Sequence, residues 1–323
     1  MAFIRFCKIS SVCIIVVLLV SFSIEARLSP DYYFDSCPKA LQIVHDVVVE
    51  AIRNDTRMGA SLLRLHFHDC FVNGCEGSVL LDDTPTFAGE KNSNPNHNSL
   101  RGFDVVDIIK ARLEKACPNT VSCADILAIA ARDATFHLGG PTWEVELGRR
   151  DAITTSVNDA NSHMPSSLSN ISVLTSNFAA VGLSFEDLIA LSGAHTLGFA
   201  RCISYRPRIY GDVNISPSFA EKLRTKCPRV GNDAVLEKMD FRTPSHFDNL
   251  YYKNLLTKQG LLHSDQELYN SNKADPIVRK YSRDVSLFFN SFSKAMIKMG
   301  AIAPPPGAKN EIRRDCRRPN SSP

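Results

Sequence analysis

Ten cysteines constrain this chain more than any other feature, because the first two lie in a segment that a secreted protein discards. Arg5 and Lys8 precede an apolar run from Val12 to Val20, and small residues follow as far as Ala26. That layout is a secretory signal peptide, residues 1–26, with Ile24 at the −3 position before the cut. The apolar run is shorter than the ~20 residues a spanning helix needs, which disfavours a retained anchor. Cleavage removes Cys7 and Cys13 and leaves an even set of eight, from Cys37 to Cys316. In an oxidising compartment such a set points to four disulfides, and therefore to a fold stapled at both ends. No spacing is C-x-x-C, which disfavours a zinc ribbon or a thioredoxin-like motif. Asn54, Asn170, Asn214 and Asn320 each head an N-glycosylation sequon, in keeping with an extracellular surface.

The remaining residues, 27–323, read as a single domain. The formal charge of +3 is too small to imply a nucleic-acid partner, and no second apolar run implies a membrane. Helical periodicity dominates. Ala40 to Arg53, Met58 to Cys70, Asp104 to Ala116 and Cys123 to Arg132 each predict a helix, the last nearly all apolar and therefore central. Ser184 to His195, Phe247 to Leu256 and Pro276 to Met299 predict three more, with Ser184 and Asp187 at capping-box spacing. Alternation in Thr142 to Leu147 predicts a strand. The loops are placed at Asp82 to Ser99 and Asn158 to Ser169, with an extended tail from Pro304 held by Cys316. The expected fold is mainly α with one short β pair.

The stretch Arg64 to Cys75, RLHFHDCFVNGC, holds two histidines, an arginine, an aspartate and two cysteines. On a helix Arg64 and His68 share a face, whereas His66 points elsewhere. That works against one metal held by both histidines. Cys70 as a nucleophile and a structural knot through Cys75 both remain open, as does His68 as an ordinary packed histidine. An arginine beside a neutral histidine is also what O–O cleavage requires: a base that moves a proton, and a cation for the charge that develops. Such a site needs a redox metal with its own ligand. His195, in LIALSGAHT, continues the apolar stripe of Leu188 and Leu191, beside the small Gly193 and Ala194 that let a flat macrocycle approach. Asp265, in LLHSDQEL, is a candidate carboxylate for the other imidazole nitrogen.

With these motifs stand LLDDT, SLRGFDVVD, VSCADILAIAARD, WEVELGRRD, TPSHFDNLYY and EIRRDCRRPN. Across essentially the whole mature chain their order resembles the plant secretory (class III) haem peroxidases. The resemblance implies a two-lobed helical fold with haem b between distal and proximal lobes. It implies His195 as the axial iron ligand with Asp265 behind it, His68 as acid/base, Arg64 as charge stabiliser and Phe67 over the open iron face. Asn96 would hold His68, Glu90 would extend that network, and Pro165 would stand where phenols dock. Two Ca2+ would be held, the distal by Asp69, Val72, Gly74, Glu76 and Ser78, the proximal by Thr196, Asp240, Thr243, His246 and Asp248. The implied disulfides are Cys37–Cys117, Cys70–Cys75, Cys123–Cys316 and Cys202–Cys227. Two departures stand out: Glu76 where the family has aspartate, and Arg27 as first mature residue where it commonly has glutamine.

The expected activity is that of a donor:hydrogen-peroxide oxidoreductase. H2O2 is reduced to water and phenolic or aromatic donors are oxidised in one-electron steps, in cell-wall cross-linking, lignification, H2O2 removal or stress response. The expected enzyme is a monomer of the apoplast or cell wall rather than the vacuole, with cell-wall polymers as further partners. One rival is a zinc or cysteine hydrolase built on His66, His68 and Cys70. Another is a non-catalytic, Ca2+-dependent cell-wall-binding module on the same fold, disfavoured because Arg64, His68 and His195 are all present.

Overall fold

The structure, a computed structural model, describes residues 28–85 and 87–320, so the expected signal peptide, residues 1–26, and Arg27 lie outside the described residues. Its first lobe is built around a nearly all-apolar segment. Helix α1 (Ala40–Asn54) buries Val44, Val47, Val48 and Ile52, the stripe its periodicity predicts. Helix α2 (Arg57–Asn73) buries leucines on one side and His66, His68 and Asp69 among its polar residues. Helix α3 (Phe103–Ala116) follows. Helix α4 (Cys123–His137) starts where the Ser122 hydroxyl accepts from the Asp125 amide, and almost every residue of it is buried. Helix α2 lies along α4, and α1 and α3 flank them.

The second lobe follows α5 (Val157–His163) and α6 (Ile171–Ala180). Helix α7 (Phe185–Ser192) opens with a complete capping box between Ser184 and Asp187, and ends in a 3-10 turn, Gly193–Thr196. Helices α8 (Cys202–Gly211) and α9 (Pro217–Arg224) form a satellite core with the bonded pair Cys202 and Cys227. Helices α10 (Leu250–Leu256), α11 (His263–Glu267) and α12 (Asp275–Arg283) complete the lobe. Helix α13 (Val285–Gly300) packs on both α7 and α2 and so joins the lobes.

The fold is mainly helical, as expected, and four local readings need correction. Among the described residues β1 (Asp151–Ala152), β2 (Phe199–Arg201), β3 (Leu236–Lys238) and β4 (Asn310–Glu311) form two antiparallel ladders, β1 with β4 and β2 with β3, rather than one pair. The expected strand Thr142 to Leu147 forms only a bridge, Leu147 to Ser29. Trp143, Val145 and Leu147 are buried, so the alternation reports one-sided burial without a partner strand. The expected helix Pro276 to Met299 is two, because Asp284 is extended and its carboxylate caps the Leu287 amide. The expected loop Asn158 to Ser169 contains α5, whose start is the Ser156 hydroxyl accepting from the Asp159 amide.

The disulfides are Cys37–Cys117, Cys70–Cys75, Cys123–Cys316 and Cys202–Cys227, the pairing the resemblance implies. Cys123–Cys316 closes 193 residues and ties the tail to the start of α4. Replacing both of its cysteines by serine is expected to cost about 2–5 kcal/mol of stability. Denaturant unfolding checks this, with proteolysis of the tail near Arg314 as a second readout.

Candidate active site

A cavity of about 1390 Å3 separates the lobes. Arg64, Phe67 and His68 of α2 line one side, and Leu188, Leu191, Ala194 and His195 of α7 and its 3-10 turn line the other. Pro165 lies on its lining as well. Arg64 and His68 are one helical turn apart and reach the same space, as their spacing predicts. His66 does not line the cavity. It is buried beside the Cys70–Cys75 bond, with Nδ1 3.6 Å from Cys70 Sγ. Both thiols are consumed by that bond, which removes the hydrolase reading of His66, His68 and Cys70.

On the α2 side, His68 Nδ1 is 2.6 Å from Asn96 Oδ1. The amide nitrogen of Asn96 donates to the Glu90 carbonyl at 2.9 Å, which identifies the oxygen as the end facing His68. His68 therefore donates from Nδ1 and keeps the lone pair of Nε2. Burial first, then the Arg64 charge, hold its pKa well below the ordinary histidine value. Arg64 donates to the Ser99 carbonyl and hydroxyl at 3.0 and 2.7 Å and to the Pro95 carbonyl at 3.2 Å. Burial brings its pKa down to about 10, so it remains a cation at neutral pH. One loop, residues 93–100, thus holds both groups. Glu90 joins this network through its carbonyl, while its carboxylate accepts from Thr155. Phe67 stands edge-on to His68, with ring centroids 5.7 Å apart.

On the opposite side, His195 Nδ1 donates to Asp265 Oδ1 at 2.6 Å. Its ring is 40% exposed, whereas Asp265 is 2% exposed. Nε2 is then the nitrogen left without a protein partner. Asp265 Oδ2 accepts from the Leu262 amide at 2.9 Å, and Oδ1 accepts a second time, from the Tyr251 hydroxyl at 3.1 Å. Tyr251 is absent from the sequence reading, since nothing in an apolar helix marks one tyrosine among its neighbours. Gly193 also needs correction. A Cβ there meets the Tyr252 hydroxyl at 2.4 Å and the Phe288 ring at 2.5 Å, so its smallness serves packing behind the turn, and only Ala194 lines the cavity. The cavity fits a flat prosthetic group, with an orientated imidazole at its floor and a buried apolar wall.

Two oxygen-rich clusters lie beside the two histidines. Next to His68, both carboxylate oxygens of Asp69 are buried without a partner, as are Ser78 Oγ and Glu90 Oε2. Glu76 is buried against the same group, and its pKa is pushed up to about 8 by burial and by Asp69 and Glu90. The Val72 carbonyl accepts from His163 Nδ1 at 2.7 Å. Gly74 has φ +84, and a Cβ there meets the Ala303 carbonyl at 2.5 Å, so the turn requires glycine. Next to His195, the Thr196 hydroxyl donates to Asp248 at 3.2 Å, and Asp240 Oδ2 and Thr243 Oγ1 are buried without partners. The His246 amide donates to the Thr243 carbonyl at 3.0 Å. Orphaned buried oxygens in an all-oxygen donor set suit a hard divalent cation. Asp82 pairs with Lys91 and Arg317, and Asp83 accepts from the Gly89 amide, which fixes the loop before Glu90.

A family model described as peroxidase matches residues 44–284. Peroxidase 49 of Arabidopsis thaliana is 49% identical over 321 residues, 97% of each chain. Peroxidase P7 of Brassica rapa subsp. rapa is 52% identical, covering 91% of this chain and 100% of that one. Peroxidase RIP1 of Medicago truncatula is 52% identical, covering 97% and 98%.

Burial raises Asp69 to about 7 and Glu76 and Glu90 to about 8, all above their ordinary 3.8 and 4.5. Groups raised on folding contribute stability at low pH that is lost as pH climbs through the folded value. His66 and His68 act oppositely, costing stability only below their ordinary 6.5. Between pH 6.5 and 8, therefore, only the carboxylates act. Metal-free protein is expected to lose stability steadily across that window, and unfolding midpoints in chelator at several pH values check it.

Proposed function

Because the chain belongs to the plant class III branch of the peroxidase family and is a haem peroxidase, we propose that Arg64, His68 and His195 are the residues that carry its activity. The observation that carries this assignment is the opposition of two geometries across one cavity. An unprotonated Nε2 beside a guanidinium faces an imidazole whose own Nδ1 is tied to a carboxylate. Haem b, when bound, would supply the redox chemistry, passing to H2O2 two electrons that two donors make good one at a time. His195 Nε2 would ligate that iron, with Asp265 fixing the ring and making it electron-rich.

His68 Nε2 accepts the proton from one oxygen of H2O2 and delivers it to the other, which leaves as water. Arg64 stabilises the negative charge on the departing oxygen, from a position its three carbonyl and hydroxyl contacts define. Asn96 keeps the proton on Nδ1 so that Nε2 stays a base, and Phe67 excludes water from the reacting side. Two donor molecules each return one electron and one proton, so one H2O2 yields two waters. Pro165 on the cavity lining marks where phenolic or aromatic donors approach.

Calcium is the cation we assign to both oxygen clusters. The distal ion would be held by the Asp69, Glu76 and Ser78 side chains and the Val72 and Gly74 carbonyls, with Glu90 in the surrounding network. The proximal ion would be held by Thr196, Asp240, Thr243 and Asp248 with the His246 carbonyl. Residues 27–323 act as one domain and a monomer outside the cell, in the apoplast or wall, after removal of residues 1–26. Four disulfides support an oxidising compartment. Asn54 and Asn170 are exposed and suit glycans, whereas Asn320 is exposed but its amide nitrogen donates to the Ile312 carbonyl at 2.8 Å. Asn170 also caps α6 through Oδ1, which leaves its nitrogen free for the sugar. Asn214 is half-buried, and its amide donates to Asn270. Nothing in the site favours a non-catalytic binding module.

His68→Leu is expected to slow the reaction with H2O2 by about 10²–10⁴-fold while the Soret band persists, read by rapid mixing. A rate near that of the unaltered enzyme would refute the assigned role. Calcium at saturation is expected to abolish the loss of stability between pH 6.5 and 8, and the same unfolding series with added Ca2+ tests it.

A further inference from the structure

We propose that Tyr251 is a positioning residue that moderates how strongly His195 donates to the haem iron, because its hydroxyl competes for the one oxygen that holds His195. The inference rests on His195 being the iron ligand. Asp265 Oδ1 accepts from His195 Nδ1 at 2.6 Å and from Tyr251 Oη at 3.1 Å, while Oδ2 is taken by the Leu262 amide. Tyr251 is buried on α10, and its ring stands edge-on to His195 with centroids 6.1 Å apart. Arg208 is the buried cation of this region, yet its guanidinium goes to Gly260, Asp212, Asn214 and Gln266 and not to Asp265. The carboxylate's hydrogen bonds therefore come from an amide, an imidazole and a phenol, while Arg208 acts on it only through space.

Packing alone does not require that hydroxyl. The rings of Phe247, Phe288 and Phe292 fill the adjoining core as phenylalanines. A buried hydroxyl is costly unless it is bonded, and this one is spent on the oxygen that His195 already uses. Two donors on one lone-pair-bearing oxygen each draw density from it. Removing the phenol leaves that oxygen wholly to His195 Nδ1–H, which makes the imidazole closer to an imidazolate and a stronger donor to a metal at Nε2. Tyr252 is the internal control. It is the next residue and equally buried, but its hydroxyl donates to the Ile189 carbonyl at 2.8 Å.

The experiment compares the holoenzyme with Tyr251→Phe and Tyr252→Phe by spectroelectrochemical titration and by the iron–histidine stretching band of the ferrous form. Tyr251→Phe is expected to lower the ferric/ferrous midpoint by about 59 mV, tenfold in the ferric-to-ferrous ratio for one electron, and to raise the stretching frequency. Tyr252→Phe is expected to move neither. An unshifted potential and band in Tyr251→Phe overturns the proposal, and so does an equal shift in Tyr252→Phe, which would make the effect one of packing. Absence of an iron–histidine band in the unaltered enzyme instead overturns the assignment of His195, and the proposal with it.

Discussion

Two hydrogen bonds of the same length set the character of the two imidazoles that face this cavity. His68 and His195 each donate from Nδ1 to a side-chain oxygen at 2.6 Å, and each presents the other nitrogen toward one cavity. The acceptors differ in a single respect: Asn96 offers a neutral amide oxygen and Asp265 a carboxylate. An amide fixes the tautomer without adding charge, so His68 keeps a lone pair whose proton affinity is held down by burial and by Arg64. That makes it a base able to give its proton back. A carboxylate pulls the Nδ1 proton and enriches the ring, which suits a ligand to iron. The same side chain is thus fitted to two different jobs by what stands behind it.

Each histidine is followed directly by a residue of one of the oxygen-rich clusters, Asp69 after His68 and Thr196 after His195. On α2 this alternation has a helical cause. Arg64 and His68 lie a turn apart, and the next residue is rotated away from the cavity by about 100°. Asp69 therefore points into the far side of the helix, where Ser78, Glu76 and Glu90 gather. Three buried carboxylates without a cation repel one another and resist ionisation. Arg313, fully buried in the tail, offsets part of that charge: its guanidinium favours ionised Asp69 and Asp151 and donates to the Gly77 carbonyl. The Cys123–Cys316 bond, three residues beyond, keeps it there.

How much of this could be read from the chain depends on the range of the interaction. The helices α1 to α3 were legible because their burial follows a 3.6-residue stripe, α4 because it is apolar almost throughout, and Arg64 and His68 because four residues is about one turn. Helix α5 was not, since only Ala160 of its seven residues is buried and a serine cap, rather than periodicity, starts it. The break at Asp284 was hidden because the apolar pattern runs on both sides of it. Asn96 was reachable only through the family motifs, and Asp265 was a candidate that spacing alone could not place, because they lie 28 and 70 residues from the histidines they hold. Tyr251 stayed invisible for a different reason: what distinguishes it from Tyr252 is one hydroxyl direction, and that direction exists only once α10 and α11 have met.

The proximal imidazole is positioned from behind as much as from the side. A 3-10 turn is tighter than an α-helix and projects successive side chains at a steeper angle, so Gly193–Thr196 carries His195 out of α7 and over the cavity. The turn is pressed against Tyr252 and Phe288, closely enough that no side chain at 193 fits without displacing them. Phe288 stacks on Phe247 and meets Phe292 edge-on, and Tyr252 meets Tyr281 edge-on. An aromatic wall of this size yields little, because each ring is already in contact on its other faces. The height of His195 over the cavity floor is therefore a property of the core, while its electronic character is a property of Asp265 and the phenol that shares it. Separating the two lets one be altered without moving the other.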